Sequence, residues 1–136
     1  MAGIETAAMH EATSRDDPGP GAVRRPWGWF EELAAGPSYK VKRLCVMAGQ
    51  QLSLQTHAER AEHWVVVQGR GLLTLERATS RLSVGDTVTV QRGAAHRVRN
   101  EGEDLLIIVE TQLGTCREDD IVRLQDDYGR APSPAR

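Results

Sequence analysis

Residues 55–64, QTHAERAEHW, place an amide, an imidazole and a carboxylate within one short stretch. Gln55 and His57 are two positions apart, so on a strand their side chains point the same way, and Glu62 opens the next strand after a short bend. His96 follows a glycine turn at the start of a later strand. Two imidazole nitrogens, a carboxylate and an amide oxygen suit a divalent first-row metal and leave coordination positions open. These four residues predict a metal site that is open to a ligand.

The elements that must position these residues read as strands. Short runs in which apolar residues alternate with period two are bounded by Gly, Asn and Asp, and they cover residues 39–49, 62–69, 71–77, 80–90, 96–100 and 104–114. Several short strands separated by turn signals predict an all-β sandwich or barrel rather than βαβ units. The run EDDIVRLQDDYGR, residues 118–130, allows one turn or a short helix.

Length and charge limit the function classes. A chain of 136 residues with formal net charge −2 makes one domain and favours neither nucleic acid nor an anionic membrane as a partner.

The chain has no apolar run of 18 residues and no secretory leader pattern, so we expect it in the cytoplasm. Pro, Gly and acidic residues predict a disordered tail over residues 1–22, a folded domain over 23–130 and a flexible tail over 131–136.

Two spaced motifs carry a resemblance to a known superfamily. Residues 49–69 read G-x5-Q-x-H-x4-E-x6-G, and residues 85–100 read G-x5-Q-x-G-x2-H-x3-N. The pair resembles the two motifs of the cupin superfamily, with Gln55 in place of the first His and Gln91 where Pro is usual. The resemblance implies a single cupin barrel, the double-stranded β-helix or jelly roll, with extensions at both ends.

One branch of that superfamily is similar over residues 24–130: the type II mannose-6-phosphate isomerase domain, usually the C-terminal half of a bifunctional guanylyltransferase/isomerase. The matching stretches are RPWG, YKVKRL, LSLQTH, RAEHWVVV and EDDIVR leading to DDYGR. The resemblance implies Gln55, His57, Glu62 and His96 as metal ligands, with Arg60 and Arg130 facing a sugar phosphate. Glu59 stands where the family commonly has a second imidazole. No Gly-rich nucleotide loop precedes Arg25, so GDP-mannose synthesis is not expected on this chain.

The implied reaction interconverts mannose 6-phosphate and fructose 6-phosphate through a cis-enediol. It needs a Lewis acid, which one divalent ion would supply, with zinc preferred and manganese, cobalt or ferrous iron compatible. It also needs a cationic seat for phosphate, for which the forked guanidinium groups of Arg60 and Arg130 are suited. Lys42 shares a strand face with Lys40. If that face is interior, a lysine could hold sugar or phosphate oxygens; otherwise both lie in solvent.

The base that moves the proton is the least defined part of the site. Glu110 lies in the series Leu106, Ile108, Glu110 and Gln112 of the last long strand, where an acid would face the barrel interior. A partly apolar barrel would raise the pKa of Glu110 toward the working range of a base. The alternative is a residue at a strand end in water.

Other functions fit the same residues. A non-catalytic cupin that binds a sugar phosphate is one, and an isomerase or epimerase of another sugar phosphate is a second. A small-cupin oxygenase is disfavoured because such sites generally use three His ligands, whereas Gln55 supplies an amide. Trp27 and Trp29 form an apolar arm before the barrel, which either crosses to a second subunit of a homodimer or packs back on its own barrel.

Overall fold

The computed structural model describes residues 17–131, and every regular element in that range is a β-strand. The strands are β1 Val23–Arg25, β2 Gly28–Gly36, β3 Tyr39–Val46, β4 Leu54–Thr56, β5 Arg60–Gln68, β6 Gly71–Leu75, β7 Ala78–Leu82, β8 Thr87–Val90, β9 His96–Asn100, β10 Leu106–Gly114 and β11 Val122–Gln125. The all-β prediction is confirmed. Of the tails predicted over residues 1–22 and 131–136, residues 1–16 and 132–136 lie outside the described residues.

The strands form two antiparallel sheets that face each other. The larger has the order β1-β2-β3-β10-β5-β8, and the smaller has the order β11-β4-β9-β6-β7. Burial alternates along β5, where Trp64 and Val66 point inward and Val65 points outward. The inward side chains of both sheets make one core, whose members include Leu106, Ile108 and Val98. The metal motifs lie on strands of both sheets, so the site forms between them.

The predicted strand over residues 80–90 is divided in the structure. It forms β7 in the smaller sheet and β8 in the larger one, with a turn between them. Gly85 has a φ of 94° in that turn, and the Asp86 carboxylate accepts a hydrogen bond from the Ser83 backbone N–H at 2.7 Å. Asp and Gly therefore stop the strand and allow the chain to cross from one sheet to the other.

The apolar arm packs on its own barrel. Trp27 joins the main core, while Trp29 packs with Cys45 and Leu105. Both rings are buried, and Trp29 lies opposite Cys45 where β2 pairs antiparallel with β3. Of the two alternatives for this segment, the structure has the second.

The helix considered for residues 118–130 is not formed. This segment contains β11, which pairs with β4 so that Arg123 lies opposite Gln55. β4 has only three residues and would otherwise leave the edge of the smaller sheet unpaired, so pairing replaces a local helix. No helix with the length and hydropathy needed to cross a membrane is present in the described part of the chain.

Candidate metal centre and its cavity

His57, Glu62 and His96 meet at the base of a cavity between the sheets. Each offers one ligand atom, and these atoms all lie within 4.8 Å of one another. His57 Nε2 is 3.3 Å from Glu62 Oε2, and His96 Nε2 is 3.6 Å from Glu62 Oε1. The three side chains are buried. Two nitrogens and one carboxylate at this spacing could hold a divalent metal ion, so the donor set fits the predicted cofactor.

Backbone carbonyls orient both imidazoles. Nδ1 of His57 donates to the Asp120 carbonyl at 2.7 Å, and Nδ1 of His96 donates to the Ala94 carbonyl at 2.9 Å. A carbonyl only accepts, so each ring carries its proton on Nδ1 and presents the Nε2 lone pair toward Glu62. Burial lowers the pKa of His57, against the opposing charge of Glu62. The neutral imidazole is the form that binds a metal.

Asp120 also fixes the bend that precedes β5. Its carboxylate oxygens accept hydrogen bonds from the backbone N–H groups of Ala58 and Glu59, each at 2.9 Å. With the bond from His57 to its carbonyl, Asp120 holds three consecutive residues of the bend. The segment after β10 therefore sets the position of one candidate ligand.

Gln55 lies beside the three-residue group. It is the Cα partner of His96 where β4 pairs with β9, and its buried side chain lines the same cavity. Its Nε2 donates to the Ser53 carbonyl at 3.2 Å. The amide nitrogen is thus used by the backbone, and the oxygen is the atom that could bind a metal.

The Glu62 carboxylate is held as an anion. It accepts hydrogen bonds from Arg60 Nε and Trp64 Nε1, both at 3.0 Å. Burial opposes its ionisation, but a hydrogen bond with Glu110 and the charges of His96, His57 and Arg60 lower the pKa of Glu62 to about 2. An ionised carboxylate is the form that ligates a metal.

Glu110 is a second buried carboxyl group in the cavity. It lies between Lys42 on β3 and Trp64 on β5, and its Oε1 accepts a hydrogen bond from Gln112 Nε2 at 2.8 Å. Burial and the charge of Glu62 raise the pKa of Glu110 well above its ordinary range. The structure therefore places Glu110 inside the barrel, and not at a strand end in water.

Lys42 also faces the interior. Its Nζ lies 4.2 Å from the centroid of the Phe30 ring and bonds to the Glu118 carboxylate, which Lys40 approaches at 3.5 Å. Burial opposes ionisation of Glu118, but these lysines outweigh it and hold its pKa below the ordinary value. Of the two positions considered for the lysines, the structure gives Lys42 the interior one.

Arg60 and Arg130 both line the cavity, at different depths. Arg60 is buried, and its guanidinium contacts Glu62, the Arg117 carbonyl at 3.0 Å and His57 Nε2 at 3.2 Å. Arg130 lies at the half-exposed end, where Nε and Nη2 each donate to the Asp126 carboxylate at 2.8 Å. Arg60 thus adjoins the candidate metal ligands, and Arg130 adjoins the mouth.

The chain matches the family model described as Mannose-6-phosphate isomerase C-terminal over residues 18–126. The chain belongs to this family. Members of the mannose-6-phosphate isomerase C-terminal family include parts of longer proteins, and this chain spans about a quarter of the length of the curated relatives it matches.

Two such relatives are similar at 41% identity. One is mannose-1-phosphate guanylyltransferase ManC of Salmonella typhimurium, matched over 109 residues, which are 79% of this chain and 23% of that protein. The other is the alginate biosynthesis protein AlgA of Pseudomonas aeruginosa, matched over 114 residues, 83% of this chain and 24% of that protein.

The cupin domain of Schizosaccharomyces pombe Cnp3 superposes with a TM-score of 0.61 at 20% identity, covering 63% of this chain and 64% of that chain. The fold is therefore a cupin barrel.

This isomerase-family cavity includes two arginines to which sequence reasoning assigned no role. Arg25 on β1 and Arg123 on β11 line it together with Arg130, and the cavity has a volume of about 640 Å³ when the open space at its mouth is included. Both lie in stretches that carry the resemblance, but no local pattern shows that they face one cavity. Glu59 is not among the lining residues. The Glu59 side chain is exposed, and its Oε2 lies 3.8 Å from Arg117 Nη1.

Proposed function

We propose that this protein is a metal-dependent isomerase that interconverts mannose 6-phosphate and fructose 6-phosphate. The observation that carries the proposal is the placement of Glu110 beside the buried group of His57, Glu62 and His96, in a chain that belongs to the mannose-6-phosphate isomerase C-terminal family. A proton carrier and a metal-binding group in one cavity are two of the three parts that this reaction needs, the third being a cationic seat for phosphate.

The reaction is balanced within the sugar. The proton on C2 of the aldose moves to C1, and the proton of the C2 hydroxyl moves to the oxygen on C1. C2 then becomes the ketone and C1 the hydroxymethyl group, with a cis-enediol between them. No external oxidant or reductant is needed.

Four side chains of this cavity support the predicted metal cofactor. A divalent ion held by His57, Glu62 and His96, with Gln55 as a fourth donor, would polarise the oxygens on C1 and C2 when bound. Zinc is the preferred ion, and manganese, cobalt and ferrous iron fit the same nitrogen and oxygen donors.

Glu110 is the residue proposed to carry the proton between C2 and C1. Its raised pKa makes its carboxylate a stronger base than an ordinary glutamate. Lys42, buried beside it, can donate a hydrogen bond to a sugar oxygen. Phe30, Leu44 and Trp64 form apolar walls that limit water around the reacting carbons.

A coupled assay tests the proposal. Protein stripped of metal and reloaded separately with zinc, manganese or cobalt is given mannose 6-phosphate, and fructose 6-phosphate is measured. Metal-restored turnover is the expected result. Glucose 6-phosphate, the C2 epimer, is assayed in parallel, because turnover of that sugar alone would indicate an isomerase of another substrate. Full metal loading without turnover of either sugar would favour the binding protein over the enzyme.

A further inference from the structure

Three arginines from separate segments line the outer part of the cavity. Arg25 belongs to β1, Arg123 to β11 and Arg130 to the turn that follows β11. The deeper cations of the cavity have anionic partners, since Arg60 bonds to Glu62 and Lys42 to Glu118. Of the three arginines near the mouth, Arg130 also has a carboxylate partner, Asp126, so the unbalanced positive charge there belongs to Arg25 and Arg123.

Sheet register directs Arg123 into the cavity. Arg123 lies opposite Gln55 across β11 and β4, and Gln55 lies opposite His96 across β4 and β9. Residues directly opposite each other in neighbouring strands project from the same face of a sheet. Arg123 is thus two strands from a candidate metal ligand, a span of about 10 Å at the usual strand spacing.

The guanidinium groups of Arg123 and Arg25 are not engaged by carboxylates. Within residues 17–131 neither forms an ion pair, and Arg123 Nε is buried without a hydrogen-bond partner. Burial and the charges of Arg130 and Arg25 lower the pKa of Arg123, although Asp126 acts in the opposite direction. Arg25 instead lies over the Phe30 ring, 5.1 Å from its centroid. A buried donor without a partner costs free energy unless an anion accepts from it.

We propose that Arg25 and Arg123, with Arg130 beside them, form the seat for the phosphate monoester of the substrate. The assignment rests on the proposed function, which it makes more specific. Arg60 is not assigned to the seat because it is buried beside the candidate metal ligands, with its guanidinium bonded to Glu62 and His57. The forked donors of Arg25 and Arg123, with the charge of Arg130 beside them, suit the terminal oxygens of a phosphate monoester. The sugar end then extends inward toward Glu110.

Binding measurements on the metal-loaded full chain test this seat. The variants are Arg25→Gln and Arg123→Gln, and the probes are mannose 6-phosphate, inorganic phosphate and mannose in calorimetric titrations. Each variant should bind mannose 6-phosphate and phosphate at least about tenfold more weakly, since each loses a charge-assisted contact. Arg123→Lys keeps the charge but not the fork, so it should lie between the wild type and Arg123→Gln. Metal content should be the same in all variants.

Arg97→Gln is the matched control. Arg97 lies on β9 of the same sheet, is partly buried and also has an Nε without a hydrogen-bond partner, but it projects away from the cavity. Its substitution should leave phosphate affinity unchanged. Circular dichroism and melting temperatures verify that the variants fold. If a Gln variant does not fold, Arg123→Lys provides the test.

The outcomes distinguish a failure of the phosphate-seat proposal from a failure of the proposed isomerase function. Arginine-dependent binding of phosphate without turnover would support the seat and contradict the isomerase. Turnover of mannose 6-phosphate with an unchanged KM in Arg25→Gln and Arg123→Gln would overturn the seat and leave the isomerase standing. Equal weakening in Arg97→Gln, or a wild type that binds neither phosphate nor mannose 6-phosphate, would also overturn the seat.

Discussion

At the scale of single residues, the proton positions on two imidazoles decide what the site can hold. The Asp120 and Ala94 carbonyls accept hydrogen bonds from Nδ1 of His57 and His96. Both Nε2 lone pairs are therefore directed toward the Glu62 carboxylate. The two rings are 5.0 Å apart. Such orientation lowers the cost of binding a metal, although Arg60 must give up its contacts with His57 Nε2 and Glu62 when the metal binds.

Replacing His96 with Ala removes one of three clustered donors. We expect zinc affinity to fall by about a hundredfold or more, measured by competition with a chromophoric chelator. His63→Ala is the matched control, because His63 lies next to Glu62 on β5 but is exposed and contacts Thr89 on the outer face. Unchanged zinc affinity in His96→Ala, or an equal loss in His63→Ala, would contradict the ligand assignment.

Replacing Glu110 with Gln preserves shape and removes the ionisable group. If Glu110 carries the proton, kcat should fall by about 10²- to 10⁴-fold while metal content stays constant. Glu59→Gln is the control, since Glu59 is exposed and lies outside the cavity. A Glu110→Gln enzyme with the kcat of the wild type would require a different base.

At the scale of elements, the end of β10 is fitted closely against the start of β5. Gly114 has a φ of 125°, and a Cβ there would lie 2.4 Å from the Glu59 carbonyl oxygen. We expect Gly114→Ala to lower the free energy of unfolding by about 3 kcal/mol or more, from strain and clash together. Gly49 also has a positive φ, 77°, but a Cβ on Gly49 would have no neighbouring atom within 4 Å. Gly49→Ala should therefore cost only about 1 kcal/mol. Urea denaturation measures both, and equal losses would show that the contact with Glu59 is unimportant.

The turn after β11 depends on an ion pair between Asp126 and Arg130. The hydrogen bonds from Arg130 hold the pKa of Asp126 at about 2, against an ordinary value of 3.8. A depressed pKa gives stability that is complete above the ordinary value and is lost as the pH falls toward 2. The wild type should be more stable than Asp126→Asn above about pH 4, with a difference that shrinks between pH 4 and 2.

Thermal unfolding at a series of pH values measures this difference. Arg130→Gln removes the partner, so it should flatten the same pH dependence. A constant difference between the wild type and Asp126→Asn from pH 6 to pH 2 would show that the pair contributes nothing in solution.

Local pattern predicted the parts of this molecule that depend on neighbours in sequence. The spacing of Gln55, His57 and Glu62 and the glycine before His96 were sufficient to identify a candidate site, because alternation along a strand fixes which side chains share a face. The roles of Arg25 and Arg123 depend on pairing between distant strands. β1 and β11 come from opposite ends of the described chain and from different sheets, and only the packing of the two sheets brings them to one cavity. The sequence of the segment that contains β11 also allowed a short helix, because its pairing with β4, and not its own sequence, selects the strand.

At the scale of the whole molecule, the outer face of the larger sheet carries several exposed apolar side chains. Val65, Val67, Leu113 and Tyr39 are exposed on its outer side. The sequence predicts a homodimer, and this face offers a second copy an apolar surface. Light scattering coupled to size exclusion should give the mass of a dimer for the wild type.

Val65→Glu should shift that dimer toward the monomer, because it would bury a charge in the interface. Val84→Glu is the control, since Val84 is an exposed valine in the turn between β7 and β8. A monomeric wild type would rule out the homodimer, and a dimer that persists in Val65→Glu would place the interface elsewhere.

The three hydrogen bonds of Asp120 also set the order in which the site can be completed. They join residues 61 to 63 positions apart, from the bend before β5 to the segment after β10. Contacts of such long range form late in folding, because loop closure must precede them. During synthesis, His57 leaves the ribosome well before the carbonyl that orients it, at about 5–20 residues per second. For those seconds the nascent chain carries a candidate ligand with no fixed tautomer, and the candidate metal site is completed only with the last quarter of the protein.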